Sequence, residues 1–218
     1  MRIGIFGGTF NPIHNCHLEI AEEIREMMEL ESIIFIPSSS PPHKDVADMA
    51  ESSHRLEMTR IAIKYNPHFQ VSDIEAIRKG ISYSIDTIKE LKSIYVKDQL
   101  FFIMGIDAFS EISTWKNTDR LLRICNFIIV SRPDYRFIDI PFLKHIDSSI
   151  FSLLDSGERD KGEISVAPDY LIYLLRGIEC KISSTDIRSR IKRGEEVKNL
   201  LPDIVESYII KNRLYMER

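Results

Sequence analysis

The 218 residues comprise 44% hydrophobic and 28% charged side chains, a balance that builds a core under a solvated surface and excludes a disordered or fibrous chain. Lys and Arg number 29 against 33 Asp and Glu, a net charge of -4, so there is no broad basic field for a nucleic-acid backbone and no nucleic-acid partner is expected. No apolar run approaches the ~20 residues that cross a bilayer, so no membrane partner is expected either.

Arg2 to Phe6 is a short apolar run that stops at Gly7-Gly8. It starts too early to leave room for a signal peptide, and a cytoplasmic protein is expected. From Leu18 the residues Ala21, Ile24 and Met28 follow at helical spacing, giving strand, glycine turn, helix. Ile33 to Ile36 reads as a second buried strand ending at Pro37, and the Ser38-Ser39-Ser40-Pro41-Pro42-His43-Lys44 stretch after it is a loop, because its prolines forbid a helix or a central strand. Leu56, Ile61, Ala62 and Tyr65 predict a helix; Phe69 to Val71 a short strand; Ile85, Ile88, Leu91 and Tyr95 another helix. Leu100 to Met104 is an apolar strand ending at Gly105, Leu121 to Cys125 reads as helical, and Phe127 to Val130 is a fifth strand closed by Arg132-Pro133.

Strands apolar on both faces that alternate with helices predict an α/β fold: a Rossmann-like open parallel sheet with helices on both faces and ligands at the carboxyl ends of the strands. Residues 134–167 are polar in patches and no element is assigned there. Leu171 to Leu175 reads as the last strand. Ile182-Ser183-Ser184-Thr185-Asp186-Ile187-Arg188 places hydroxyls before a helix that stops near Gly194, and Pro202 opens a terminal helix. With no repeat or long linker, one domain over 1–218 is expected, its C-terminal helices (184–218) forming a small helical part. Cys16, Cys125 and Cys180 match neither a disulfide framework nor a zinc spacing and are read as reduced thiols.

The densest chemistry lies in Gly7-Gly8-Thr9-Phe10-Asn11-Pro12-Ile13-His14-Asn15-Cys16-His17. Glycines let a phosphate approach the backbone, a helix N-terminus offers unpaired N–H groups to an anion, and two imidazoles three residues apart can donate to phosphate oxygens. The run lacks the Gly-Lys-Ser/Thr of a Walker loop and the Gly-x-Gly-x-x-Gly of a dinucleotide fold, and two histidines alone make a poor zinc site. Read alone, the same residues also suit a tight turn with solvated histidines.

This run resembles the Gly-Gly-Thr-Phe-Asp-Pro-x-His-x-Gly-His signature of the nucleotidylyltransferase superfamily, and Ile182-Ser183-Ser184-Thr185-x-Ile187-Arg188 is similar to its second phosphate motif. Pro41-Pro42-His43-Lys44, Gly80-x-Ser82-Tyr83-Ser84-x-Asp86-Thr87, Gly105-x-Asp107 and Trp115 resemble the bacterial nicotinate-mononucleotide adenylyltransferases. Asn11 stands where the signature has Asp, and Cys16 where it has Gly. The resemblance implies transfer of AMP from ATP to nicotinate mononucleotide, giving deamido-NAD and pyrophosphate. It implies catalytic roles for His14, His17 and Arg188, and an ATP site of Gly7, Gly8, Thr9, Phe10, His14, His17, Asp107, Ser184, Thr185 and Arg188. His43 and Lys44 would bind the mononucleotide phosphate, Ser84 the ring carboxylate and Trp115 the pyridine ring; Arg132 either faces the adenine region or caps the sheet. Mg2+ would come with ATP, mainly hydrated, with no all-protein metal site. Nicotinamide mononucleotide or phosphopantetheine as acceptor, and a nucleotide sensor without turnover, are the alternative readings; homo-oligomerisation is left open.

Overall fold

The computed structural model describes residues 1–39, 49–78, 80–132, 134–143, 149–177 and 182–216. Among the described residues seven strands follow the order β3-β2-β1-β4-β5-β7-β6, where β1 is Arg2–Gly8, β2 Ser32–Pro37, β3 Phe69–Val71, β4 Gln99–Gly105, β5 Asn126–Val130, β6 Lys161–Ala167 and β7 Tyr170–Leu175. The chain divides into two compact units.

The first unit comprises Met1–Phe6 and Tyr83–Glu179. In it β1 pairs with β4, β4 with β5 and β5 with β7, all parallel, in registers such as Ile5 opposite Phe102 and Ile128 opposite Tyr173. The five residues of β5 are all buried, as expected of a strand covered on both faces. Helices α3 (Ser84–Ile94), α4 (Ile106–Ser110), α5 (Thr118–Leu121) and α6 (Ser149–Ser156) belong to this unit. Two expectations are corrected. The helix read at Leu121 to Cys125 lies earlier, at Thr118–Leu121, because the Asn117 carbonyl accepts the Arg120 and Leu121 N–H groups and starts the turn there. The stretch without an assignment holds α6 and β6, an antiparallel partner of β7. As an edge strand β6 buries only Gly162 and Ile164, and so it lacks the apolar run of the central strands.

The second unit comprises Gly7–Ser82 and Cys180–Arg218. It contains α1 (Asn15–Met27), β2, α2 (Ser52–Ala62), β3, α7 (Ser184–Lys192) and α8 (Asp203–Lys211). β2 and β3 pair in parallel, and the Gly8 carbonyl at the end of β1 accepts the Ser38 N–H at 2.9 Å. Ala21 and Ile24 on α1 and Met28 at its C-cap are buried on one side, the 3.6-residue periodicity expected of a half-covered helix. Tyr65, read as part of the second helix, lies beyond α2 and is 82% exposed. Cys125 is free and buried, and burial drives its thiol pKa up. Cys16 is disulfide-bonded, which corrects the expectation of a reduced thiol at that position; separation along a chain does not reveal which thiols meet. Cys180 lies outside the described residues. Among the described residues no helix is long and apolar enough to cross a membrane.

Candidate active site

The turn from Gly7 to His17 is held by its own aromatic residues. Phe10 sits at φ 45°, a left-handed conformation that costs a non-glycine residue on the order of 1–3 kcal/mol and persists only when surroundings over-determine it. Here they do. The Phe10 ring is 2% exposed and packs against Phe35 at 5.7 Å and edge-on to His17 at 5.1 Å. A side chain at Gly8 would meet that ring at 2.9 Å, so position 8 needs glycine for space. Gly7, Gly8 and Thr9 remain partly exposed beside it.

His14 is the N-cap of α1, with extended backbone (φ -146°) and 5% exposure. Its ring stacks on that of His17, centroids 3.7 Å apart. The His14 N–H donates to Nδ1 of His17 at 3.3 Å. With Nδ1 used as an acceptor, the proton of a neutral His17 ring sits on Nε2, which becomes a fixed donor.

The late motif reaches the same turn. Ser183 caps α7 by accepting the Asp186 N–H at 3.1 Å. The Ser184 hydroxyl donates to the Pro12 carbonyl at 2.9 Å, and Arg188, one turn further on, donates to the Asn11 carbonyl at 3.0 Å. Asn15 donates from its backbone to Leu200 and from its side chain to Asn199. His14, His17, Ser184 and Arg188 are therefore gathered around one turn at the start of two helices, with Thr185 exposed at the second position of α7. The His17 ring N–H, the exposed Thr185 hydroxyl, the other guanidinium N–H groups of Arg188 and the positive ends of two helices make a set that suits several phosphates at once. It does not suit a cation, and among the described residues no group of three His, Cys, Asp or Glu could hold a metal.

In the first unit, Gly105 caps α4 and Asp107 lies in its first turn, where Arg132 pairs with Oδ2 at 3.0 Å. A Cβ at Gly105 would collide with Asp107 Oδ1 and meet Arg132 Nε at 2.8 Å. Trp115 is half-buried rather than a core residue and, with Asn117, Thr118, Arg120 and Phe142, lines a cleft of about 510 Å³, a volume in the range of small-molecule sites. Ser84 opens α3. Lys116, next to Trp115, bonds Asp86 at 3.2 Å and lies over the Tyr83 ring at 4.1 Å, which ties the Trp115 segment to the first turn bearing Ser84. His43 and Lys44 lie outside the described residues.

Sequence reasoning missed three side chains around these sites: Lys116, Tyr215, whose hydroxyl donates to Asn11 Oδ1 at 2.7 Å, and Arg55, which is buried. The sequence reading of Asn11 noted only a departure from a signature; its Oδ1 accepts both Tyr215 and the Ala50 N–H at 3.0 Å.

The cytidylyltransferase-like family model matches residues 5–190. A protein of Citrifermentans bemidjiense named "Probable nicotinate-nucleotide adenylyltransferase" is 43% identical over 217 residues, covering 100% of this chain and 99% of its own length. This chain belongs to the cytidylyltransferase-like family and, within it, to the nicotinate-nucleotide adenylyltransferases. A relative with the same printed name from Thermoanaerobacter sp. is 43% identical over 216 residues, covering 99% of this chain and 94% of its own. The nicotinic acid mononucleotide adenylyltransferase of Plasmodium falciparum, solved with NaAD, superposes with a TM-score of 0.73 at 22% identity, covering 98% of this chain and 97% of that one. That likeness establishes the expected fold.

Proposed function

We propose that the protein transfers AMP from ATP to nicotinate mononucleotide, releasing pyrophosphate and forming deamido-NAD. A phosphate oxygen of the mononucleotide attacks the α-phosphorus of ATP; the new P–O bond forms as the bond to the β-phosphate bridging oxygen breaks, and pyrophosphate carries the electron pair away. Both reactants are anions, so positioning and positive charge supply the catalysis and no covalent nucleophile is needed. The observation that carries the reading is the bonding of Ser184 and Arg188 to the carbonyls of the Asn11–Pro12 turn, beside the stacked histidines.

In this reading Nε2–H of His17, with His14, stabilises charge growing on the α-phosphate. Gly7, Gly8, Thr9 and Phe10 admit the triphosphate to the backbone, and Ser184, Thr185 and Arg188 hold the departing β- and γ-phosphates. Mg2+ bound to the triphosphate neutralises part of its charge. Asp107 takes the ATP ribose, Trp115 the pyridine ring, Ser84 the ring carboxylate, and His43 and Lys44 the mononucleotide phosphate. The reaction belongs to NAD biosynthesis in the cytoplasm, with 1–218 working as one domain whose C-terminal helices complete the ATP site. Pyrophosphate release from MgATP with nicotinate mononucleotide, nicotinamide mononucleotide and phosphopantetheine tests it. Fastest release with nicotinate mononucleotide is the expected result; faster release with either other acceptor, or ATP binding without release, overturns it.

A further inference from the structure

Arg55 is 1% exposed, a guanidinium inside the second unit rather than on its surface. Burial pushes its pKa down, while Tyr215 and Glu75 act in the opposite direction. Among the described residues it forms no ion pair; its hydrogen bonds all go to backbone carbonyls. Nη1 donates to Thr9 at 2.8 Å and to Ser38 at 2.5 Å, Nη2 to Ser39 at 3.0 Å, and Nε to Ala50 at 2.9 Å. A buried charge without an ion-pair partner is a poor stabilising device, since an apolar side chain of the same volume avoids the desolvation cost. What it supplies is geometry: a planar fork of donors able to hold several carbonyls at fixed angles.

The carbonyls it holds are informative. Thr9 precedes Phe10, the left-handed residue whose ring supports His17. Ser38 is also bonded to Gly8, through its N–H, so Arg55 closes a loop of bonds around the Gly8–Thr9 peptide. Ala50 in turn donates to Asn11, the residue whose carbonyl receives Arg188. From α2, one guanidinium thus anchors the phosphate turn before and after its strained residue.

We propose that Arg55 is a positioning residue for ATP: without touching the nucleotide, it holds the Thr9 carbonyl so that Phe10, and the His17 ring it supports, stay aimed at the phosphates. The inference rests on the ATP site of the proposed function. A lysine keeps the charge but has one nitrogen in place of three, and cannot bridge four carbonyls arranged around a plane. The dissociation constant of MgATP, measured without any acceptor, should rise ~10-fold or more in R55K, because small displacements of a preorganised site weaken every contact in it. In R55A, methylguanidinium added at millimolar concentration should recover most of the lost affinity. A folded R55K that binds MgATP within ~2-fold of wild type overturns the proposal, as does an R55A chain whose folding or affinity methylguanidinium does not restore, which would assign Arg55 to stability alone. Because no acceptor is present, a wild-type chain that binds ATP but fails to transfer AMP refutes the adenylyltransferase reading and leaves this one standing.

Discussion

The phosphate turn and the Trp115 cleft are built by different means. Around Gly7–His17 most groups are held by backbone contacts: Arg55, Ser184, Arg188 and Asn15 all bond to main-chain carbonyls, and His17 accepts from a main-chain N–H. Around Trp115 the Thr118 hydroxyl also meets the Ile112 and Trp115 carbonyls, but the tie to α3 is made by side chains alone, with Lys116 between Asp86 and the Tyr83 ring beside an open cleft. In the proposed reading, the site fixed through its backbone takes the chemically invariant part of the substrates, the triphosphate. A site fixed by long, half-exposed side chains is easier to reshape and suits the part that sets specificity.

The sharpest way to break this contrast is His17→Ala, expected to lower the turnover number by ~100-fold or more, as for loss of a preorganised donor at a developing charge; wild-type turnover would show that the fixed Nε2–H does nothing. Trp115→Ala should act on the acceptor alone, weakening it by ~1–3 kcal/mol if stacking dominates. A shift in ATP affinity of the same size would erase the division of labour. Tyr215→Phe is the mildest, removing one hydrogen bond to Asn11 for a loss of ~1 kcal/mol in thermal unfolding. Burial raises the pKa of Tyr215, with Arg188 and Arg55 pulling the other way. The folded chain therefore favours the neutral phenol, and its contribution is complete below the ordinary phenol pKa of ~10 and lost as pH rises beyond it. Wild type should lose stability more steeply than Tyr215→Phe above that pH; parallel profiles would detach Tyr215 from the turn.

The same contrast explains what was legible in the sequence. β1, β2, β4 and β5 announce themselves as apolar runs because both faces are covered, and the phosphate turn does so because glycine, proline and histidine each answer a local demand. Gly194, read as a helix stop, sits at φ 70° just past α7, where a left-handed residue ends the helix. β6 was not legible, since an edge strand that exposes alternate residues and contains a glycine has the pattern of a loop. Nor was Trp115 separable from a core tryptophan by spacing. Arg55 was hidden for a different reason: on an amphipathic helix an arginine reads as solvated, and only the fold reveals that carbonyls 46, 17 and 16 residues away lie within reach of it.

The close approach of Phe10 to Gly8 offers a practical handle. A methyl group at position 8 would press on the ring that buttresses His17 without removing any charged or hydrogen-bonding side chain. Gly8→Ala is therefore a natural choice for a silent decoy, a protein with the wild-type electrostatic surface and a displaced imidazole, against which occupancy and chemistry can be told apart.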